Sequence, residues 1–241
     1  MLLKLLRLAR RRFRSDDDYR AMQAYLAEAT VADIEARGVS LNRAGVLEIG
    51  AGRGGYSATL NRVAASFIAS DFENNKYFEK SGIPFEIVDV SERFPFGSNT
   101  FDLIYCSSVI EHVAEPGNML SESFRVLRPG GVLHVSFPPF YSLTMVGGHQ
   151  FKPFHFLGEK LAVRLTNLVR KTDIAEYSNA FGNFGLYPLT IGGVMKKLRS
   201  HGFEIEAVYT RMSPLNTAQL PGIVADLLTW HVCYFARKPT K

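Results

Sequence analysis

Val46-Leu47-Glu48-Ile49-Gly50-Ala51-Gly52-Arg53-Gly54-Gly55 constrains the fold of this chain more than any other stretch. Strand-like apolar residues with one carboxylate among them run directly into a turn built on glycine. Glycine tolerates backbone conformations that a Cβ forbids, and it lets the main chain approach a ligand closely. A helix starting after such a turn aims its unpaired N–H groups at the same place. The run therefore predicts strand, tight turn and helix, with a cofactor lying over the end of the first strand.

Two cofactor classes use that geometry. Gly50, Gly52 and Gly55 satisfy the G-x-G-x-x-G spacing of dinucleotide-binding domains, so the glycines alone do not choose. Glu48 does: a carboxylate two residues before the first glycine suits a cationic or hydroxyl-rich ligand and repels a pyrophosphate. It favours S-adenosylmethionine over a nicotinamide dinucleotide.

Four stretches, in order, resemble the class I S-adenosylmethionine-dependent methyltransferases, in particular the small-molecule branch of ubiquinone and menaquinone methyltransferases. They are Leu47 to Gly54; Ala69-Ser70-Asp71; Phe94-Pro95-Phe96 leading into Phe101 to Val113; and Leu127-Arg128-Pro129-Gly130-Gly131. The resemblance covers Val46 to Phe137. It implies an α/β fold, a doubly wound, seven-stranded, mostly parallel Rossmann-like sheet with the last two strands antiparallel.

The pattern along the chain agrees. Asp16-Asp17-Asp18 open a helix ending near Arg37-Gly38, acids first and glycine last. Strands over 45–50, 66–71, 84–89, 101–106 and 131–137 alternate with helices over 54–65, 73–80 and 116–127, which predicts a parallel sheet with helices on both faces. A helix over 189–200, a strand over 203–209 and a last strand over 230–236 follow. Between them, residues 138–188 form an aromatic-rich insertion after strand five, with a helix from Gly158 to Arg170. Its aromatics fit a cap over the acceptor site that excludes water, or a flap packed on the core.

Residues 1–14 carry six basic residues and no acid, so the chain's net charge of +5 becomes −1 without them. The rest is no general nucleic-acid surface. On a helical wheel Leu2, Leu5, Leu6, Ala9 and Phe13 oppose Lys4, Arg7, Arg11 and Arg14. That is the pattern of an arm lying on an anionic membrane surface; the alternatives are a frayed, solvated start and an arm packed on the domain. The arm is too short to span a bilayer and lacks a cleavage site. Pro129 to Phe151 has no Asp, Glu, Lys or Arg, but its proline and glycine pairs argue for a buried strand and an apolar loop rather than a span. Cys106 and Cys233, far apart and without C-x-x-C spacing, fit a reduced, cytoplasmic setting, with a peripheral position at the inner membrane face if the arm binds there. The predicted organisation is an arm at 1–14 and one methyltransferase domain over 15–241.

The resemblance assigns residues to S-adenosylmethionine. Glu48, Gly50, Ala51, Gly52 and Gly54 line it. Asp71 accepts the ribose hydroxyls with Phe72 beside it; the alternative for Asp71 is a helix cap. Asp89 bonds the adenine amino group and Val90 packs on the base; the alternative for Asp89 is a turn acid at a strand end. Ser107 meets the methionine end. Arg53 and Tyr56 are wall or solvent positions.

Methyl transfer from a sulfonium needs alignment and desolvation, and a base if the acceptor is a hydroxyl. His112, His149 and His155 are the candidates, in that order; His112 also suits a helix start held by hydrogen bonds. Two histidines six apart make no metal set, and no metal is expected. The acceptor reading is a small molecule or a lipid-linked glycoconjugate, methylated on oxygen. The alternatives are a nicotinamide-dependent oxidoreductase and a noncatalytic membrane-associated protein on the same fold.

Overall fold

Strand and helix alternate as predicted. The computed structural model describes residues 16–144, 149–181 and 184–240. Its order is α1 (Asp16–Ala36), β1 (Gly45–Ile49), α2 (Ser57–Val63), β2 (Ser66–Asp71), α3 (Lys76–Ser81), β3 (Phe85–Ile87), β4 (Phe101–Ser107), α4 (Gly117–Val126) and β5 (Leu127–Phe137). After the insertion, which holds α5 (Glu159–Arg170), come α6 (Ile191–Ser200), β6 (Glu204–Thr210), α7 (Ile223–Leu228) and β7 (Val232–Arg237). The seven strands lie in the order β3-β2-β1-β4-β5-β7-β6. β1 with β2, β2 with β3 and β4 with β5 are parallel, while β7 runs antiparallel to β5 and β6. The expected arm at 1–14 lies outside the described residues, as does Gly147-Gly148.

The chain divides into two compact units, one ending at Val88 and one beginning at Asp89. In the first, Val46, Leu47 and Ile49 of β1 are buried, as a strand covered on both faces requires. α2 starts at Ser57, later than predicted, because Gly54 holds a left-handed φ of 75° that a helix cannot contain. α3 also starts late: Asn75 is its N-cap, its Oδ1 accepting from Tyr77 N at 2.9 Å.

In the second unit β5 begins four residues early. Leu127 already pairs with Phe101, and a register shift before Leu103 absorbs the Pro129-Gly130-Gly131 turn. The uncharged stretch after Pro129 is thus a buried strand followed by loop. Among the described residues no helix is long and apolar enough to cross a membrane.

The insertion builds its own small core. Phe140, Phe151, Ala162, Val163, Tyr177, Ala180 and Leu186 are buried together, with Tyr141, Phe154 and Ile174 packed against them. α7 is absent from the sequence reading because its six residues, directly after Pro221-Gly222, are too few to show a helical period. Asp226 in α7 anchors the start of α6 by accepting from Ile191 N at 2.7 Å.

Candidate active site

In the first unit the glycine turn is stitched to the end of β2. Ser70 O accepts from both Gly50 N (2.8 Å) and Ala51 N (2.9 Å), and Gly54 N donates to Ala51 O at 2.9 Å. Gly52 N donates to Asp71 Oδ2 at 2.7 Å, and Phe72 N to Asp71 Oδ1 at 2.8 Å. These amides serve the protein's own acceptors, so the turn's contribution is to hold a carboxylate in place. Asp71 does not cap α3, whose cap is Asn75. Two N–H donors orient its carboxylate. Burial raises its pKa, and the two N–H bonds oppose the rise.

The glycines divide by use. A Cβ on Gly52, at φ 52°, would meet nothing within 4 Å, leaving room for a ligand. A Cβ on Gly54 would lie 2.1 Å from the Tyr77 ring, and one on Gly55 2.4 Å from Gln23 Cβ. Gly54 and Gly55 therefore leave room for side chains of α3 and α1, Tyr77 and Gln23. Arg53 is exposed, and Tyr56 is a buried wall residue.

Glu48 is buried on β1. Its Oε2 accepts from Ser57 Oγ at 2.5 Å, and its backbone oxygen accepts from Ser70 Oγ at 2.7 Å. Burial pushes its pKa up to about 7, the Ser57 bond works against this, and the Asp71 charge adds to it. A carboxyl balanced near neutrality responds to a cation. Affinity for S-adenosylmethionine, whose sulfonium is positive, is expected to rise up to about tenfold from pH 6 to pH 8 as Glu48 ionises. S-adenosylhomocysteine, lacking that charge, should change less. Titrating both ligands at the two pH values checks this, and equal slopes would remove Glu48 from the sulfonium's surroundings.

In the second unit Asp89 adopts the turn geometry. Its Oδ1 accepts from Ser91 N (2.8 Å) and Ser91 Oγ (2.6 Å), bonds that hold its pKa down. It is exposed, and Val90 beside it is half-buried. At the end of β4, Ser107 Oγ accepts from Ser136 Oγ at 3.0 Å. Ser108, at φ 57°, sits in a left-handed conformation unusual for serine.

His112 follows in a short 3-10 turn. Its Nδ1 lies 2.8 Å from Gly185 O; a carbonyl only accepts, so Nδ1 carries the proton and Nε2 the lone pair. Phe181 is edge-on at 5.2 Å between ring centroids, and His149 is 5.8 Å away. Burial lowers the His112 pKa, the Gly185 bond partly opposing it. The His149 pKa falls to about 4, through burial and then through His112 and Lys152. The structure thus brings His112 and His149 together under Phe181. It places His155 elsewhere: that ring packs in the insertion's aromatic core, 3.9 Å from Phe156 and 6.0 Å from Phe140.

Sequence reasoning missed Arg211 and His231. Arg211 follows β6 and His231 precedes β7; Arg211 N donates to His231 O at 2.9 Å, and Nη1 reaches Ser107 Oγ at 3.5 Å. Both side chains are buried. The His231 pKa is depressed by burial first, then by Arg211, His134 and His149. Arg211 and His231 thus lie together beside β6 and β7, with the guanidinium reaching Ser107 at the end of β4. A signal lies in the sequence: Arg211 comes two residues after the strand predicted over 203–209, near a strand end where ligand-facing residues of such sheets sit.

Glu111 carries a second raised carboxyl. It is 2% exposed with neither carboxyl oxygen hydrogen-bonded, and burial lifts its pKa to about 8. Such a group binds its proton more tightly folded than unfolded. Its contribution to stability is complete below pH 4.5 and is lost as pH rises through about 8. Glu111→Gln is expected to leave the thermal midpoint at pH 5 close to that of the parent and to recover roughly 4 kcal/mol at pH 9. Parallel melting curves for the two proteins across that range would contradict the assignment.

A mostly parallel seven-stranded sheet with β7 reversed, a glycine turn after β1 and an acid closing β2 is the fold of class I S-adenosylmethionine-dependent methyltransferases. Residues 47–135 match the family described as "Methyltransferase domain", so the chain carries a domain of this class, whose cofactor is S-adenosylmethionine. That match resolves the two cofactor classes left open by the glycine spacing. An uncharacterized methyltransferase of Mycolicibacterium vanbaalenii is 27% identical over 154 residues, 62% of this chain and 57% of that protein. A ubiquinone/menaquinone biosynthesis C-methyltransferase of Desulfotalea psychrophila is 31% identical over 94 residues, 36% of this chain and 38% of the relative. The chain thus spans under two thirds of the length of either relative. A crystal structure of an S-adenosylmethionine-dependent methyltransferase from Mesorhizobium loti shares the fold, with TM-score 0.58 at 20% identity, covering 86% of this chain and 96% of that one.

Proposed function

We propose that the protein transfers the methyl group of S-adenosylmethionine to a hydroxyl oxygen of a small molecule or of a lipid-linked glycoconjugate. The observation carrying the choice of oxygen is His112. Its Nδ1 proton is committed to Gly185 O, its Nε2 lone pair is available, and its lowered pKa keeps the ring neutral at neutral pH.

The residues of the first unit fit the cofactor. Asp71 accepts the ribose hydroxyls, Glu48 offers charge to the cationic end, and the turn at Gly50, Ala51 and Gly52 shapes the floor. Asp89 and Val90 serve adenine, and Ser107 the methionine end. When bound, S-adenosylmethionine supplies an electrophilic methyl carbon on a sulfonium that leaves as a neutral thioether. As an acceptor hydroxyl takes up the methyl group it would lose its proton, and His112 Nε2 would accept that proton. His149, neutral and buried beside His112, keeps a second positive charge away from the base. Phe181 and Phe184 lie edge-on to the His112 ring at 5.2 and 6.3 Å and cover part of it.

The insertion is the acceptor-site cap in this reading, and the arm at 1–14 supports contact with an anionic membrane surface, where a lipid-linked acceptor resides. Incubating the protein with methyl-labelled S-adenosylmethionine and hydroxylated acceptor extracts tests it. An O-methyl ether is the expected product; label on carbon or nitrogen would overturn the choice of oxygen while leaving the cofactor assignment intact.

A further inference from the structure

α5 has two apolar faces where one suffices. Its inward face, Ala162, Val163 and Thr166, is buried, with Ala162 and Val163 in the insertion's core. On the opposite side of the helix Leu161, Arg164 and Leu168 follow one another at intervals of three and four residues, so they form one stripe, and exposed Leu157 ends the 3-10 turn just before the Gly158 N-cap. Leu157 is 52%, Leu161 45% and Leu168 75% exposed, the last the highest among the large apolar side chains of the described residues. The core does not explain these leucines.

Charge points to the occupant. Lys160 and Arg164 lie along one edge of the stripe, Lys171 is the left-handed C-cap just past the helix, and all three are exposed. From Lys152 to Lys171 five basic residues face one acid, Glu159. A second copy docking through the same face would set each basic residue near its own image, and the basic 1–14 arm would be repelled likewise. A narrow leucine stripe with long basic side chains beside it matches the boundary between headgroups and acyl chains. There the leucines enter the apolar layer while the ammonium and guanidinium heads reach lipid phosphates.

We infer that the outward face of α5, the Leu161–Leu168 stripe with its Lys160–Arg164 edge, is a docking surface for an anionic lipid bilayer. This surface is separate from the 1–14 arm and holds whatever the acceptor proves to be. It would keep the insertion at the headgroup layer.

Sedimentation of the full chain with vesicles of phosphatidylcholine alone, or with about a third phosphatidylglycerol, tests the inference. The expected result is binding to the anionic vesicles, weakened by salt, and little binding to the neutral ones. Leu161→Glu with Leu168→Glu should reduce that binding about tenfold or more, and Arg164→Glu several-fold. S-adenosylhomocysteine affinity and thermal unfolding should stay unchanged, because these positions are exposed. Charge reversal of the arm (Arg10→Glu, Arg11→Glu, Arg12→Glu) should leave a residual binding that the leucine substitutions remove. No vesicle binding by the parent, or equal binding by the leucine variant, would overturn the inference. So would a dimer in solution that Leu168→Glu splits, or retention by an acidic protein with none by anionic vesicles. Loss of S-adenosylhomocysteine binding by the parent would instead defeat the cofactor reading, so the two failures are distinguishable.

Discussion

Asp71→Ala is expected to weaken S-adenosylmethionine binding about a hundredfold. The carboxylate is already oriented by Gly52 N and Phe72 N, so little ordering remains to be done when a diol arrives. Each hydrogen bond to a charged acceptor is worth roughly 1.5–3 kcal/mol, and two together give on the order of a hundredfold or more. The alanine variant also leaves Gly52 N without its acceptor, which loosens the turn. Asp71→Asn separates these effects: its carbonyl oxygen can retain one backbone bond, so it should fold like the parent while still losing most of the affinity. Calorimetric titration of the three proteins measures this, and an Asp71→Asn protein that binds as well as the parent would exclude the ribose role.

His112→Gln is expected to slow turnover about a hundredfold or more while changing S-adenosylhomocysteine affinity by less than about twofold. General-base assistance is commonly worth two to four orders of magnitude, and His112 is not among the groups assigned to the cofactor. The pH profile carries the finer test. With the His112 pKa below its ordinary value, the parent's rate should be on its plateau by pH 7 and fall on the acid side. The glutamine variant should lose that acid limb. A variant with the parent's rate and profile would remove His112 as the base and leave it holding Gly185.

The parts of the fold legible in the sequence are those governed by local rules. β1, β2 and β4 ended within a residue of prediction because runs such as Leu103-Ile104-Tyr105-Cys106 admit only a doubly covered strand. The reversed β7 was legible only through the family resemblance, since direction in a sheet is set by connections that periodicity does not report. Helix starts were misplaced where one side chain decides them, as Asn75 does for α3.

At the site the glycines and Asp71 were readable as a pattern, but their division of labour was not. Nothing in the order of residues says that Tyr77 fills the space at Gly54 while Gly52 stays open. Likewise His112, His149 and His155 are equal as letters. Which two meet depends on the insertion's packing, where His155 stacks on Phe156 and His149 turns toward His112. Arg211 and His231 were missed for the same reason: antiparallel pairing of β6 with β7 joins residues twenty apart in sequence, and Arg211 then reaches Ser107.

The most direct test of the central claim is calorimetric titration of the purified protein with S-adenosylmethionine and S-adenosylhomocysteine, with NAD and NADP as controls. The account predicts saturable binding of the first pair alone, at one site per chain. Binding of a nicotinamide nucleotide, or no binding of either adenosyl ligand, would contradict it.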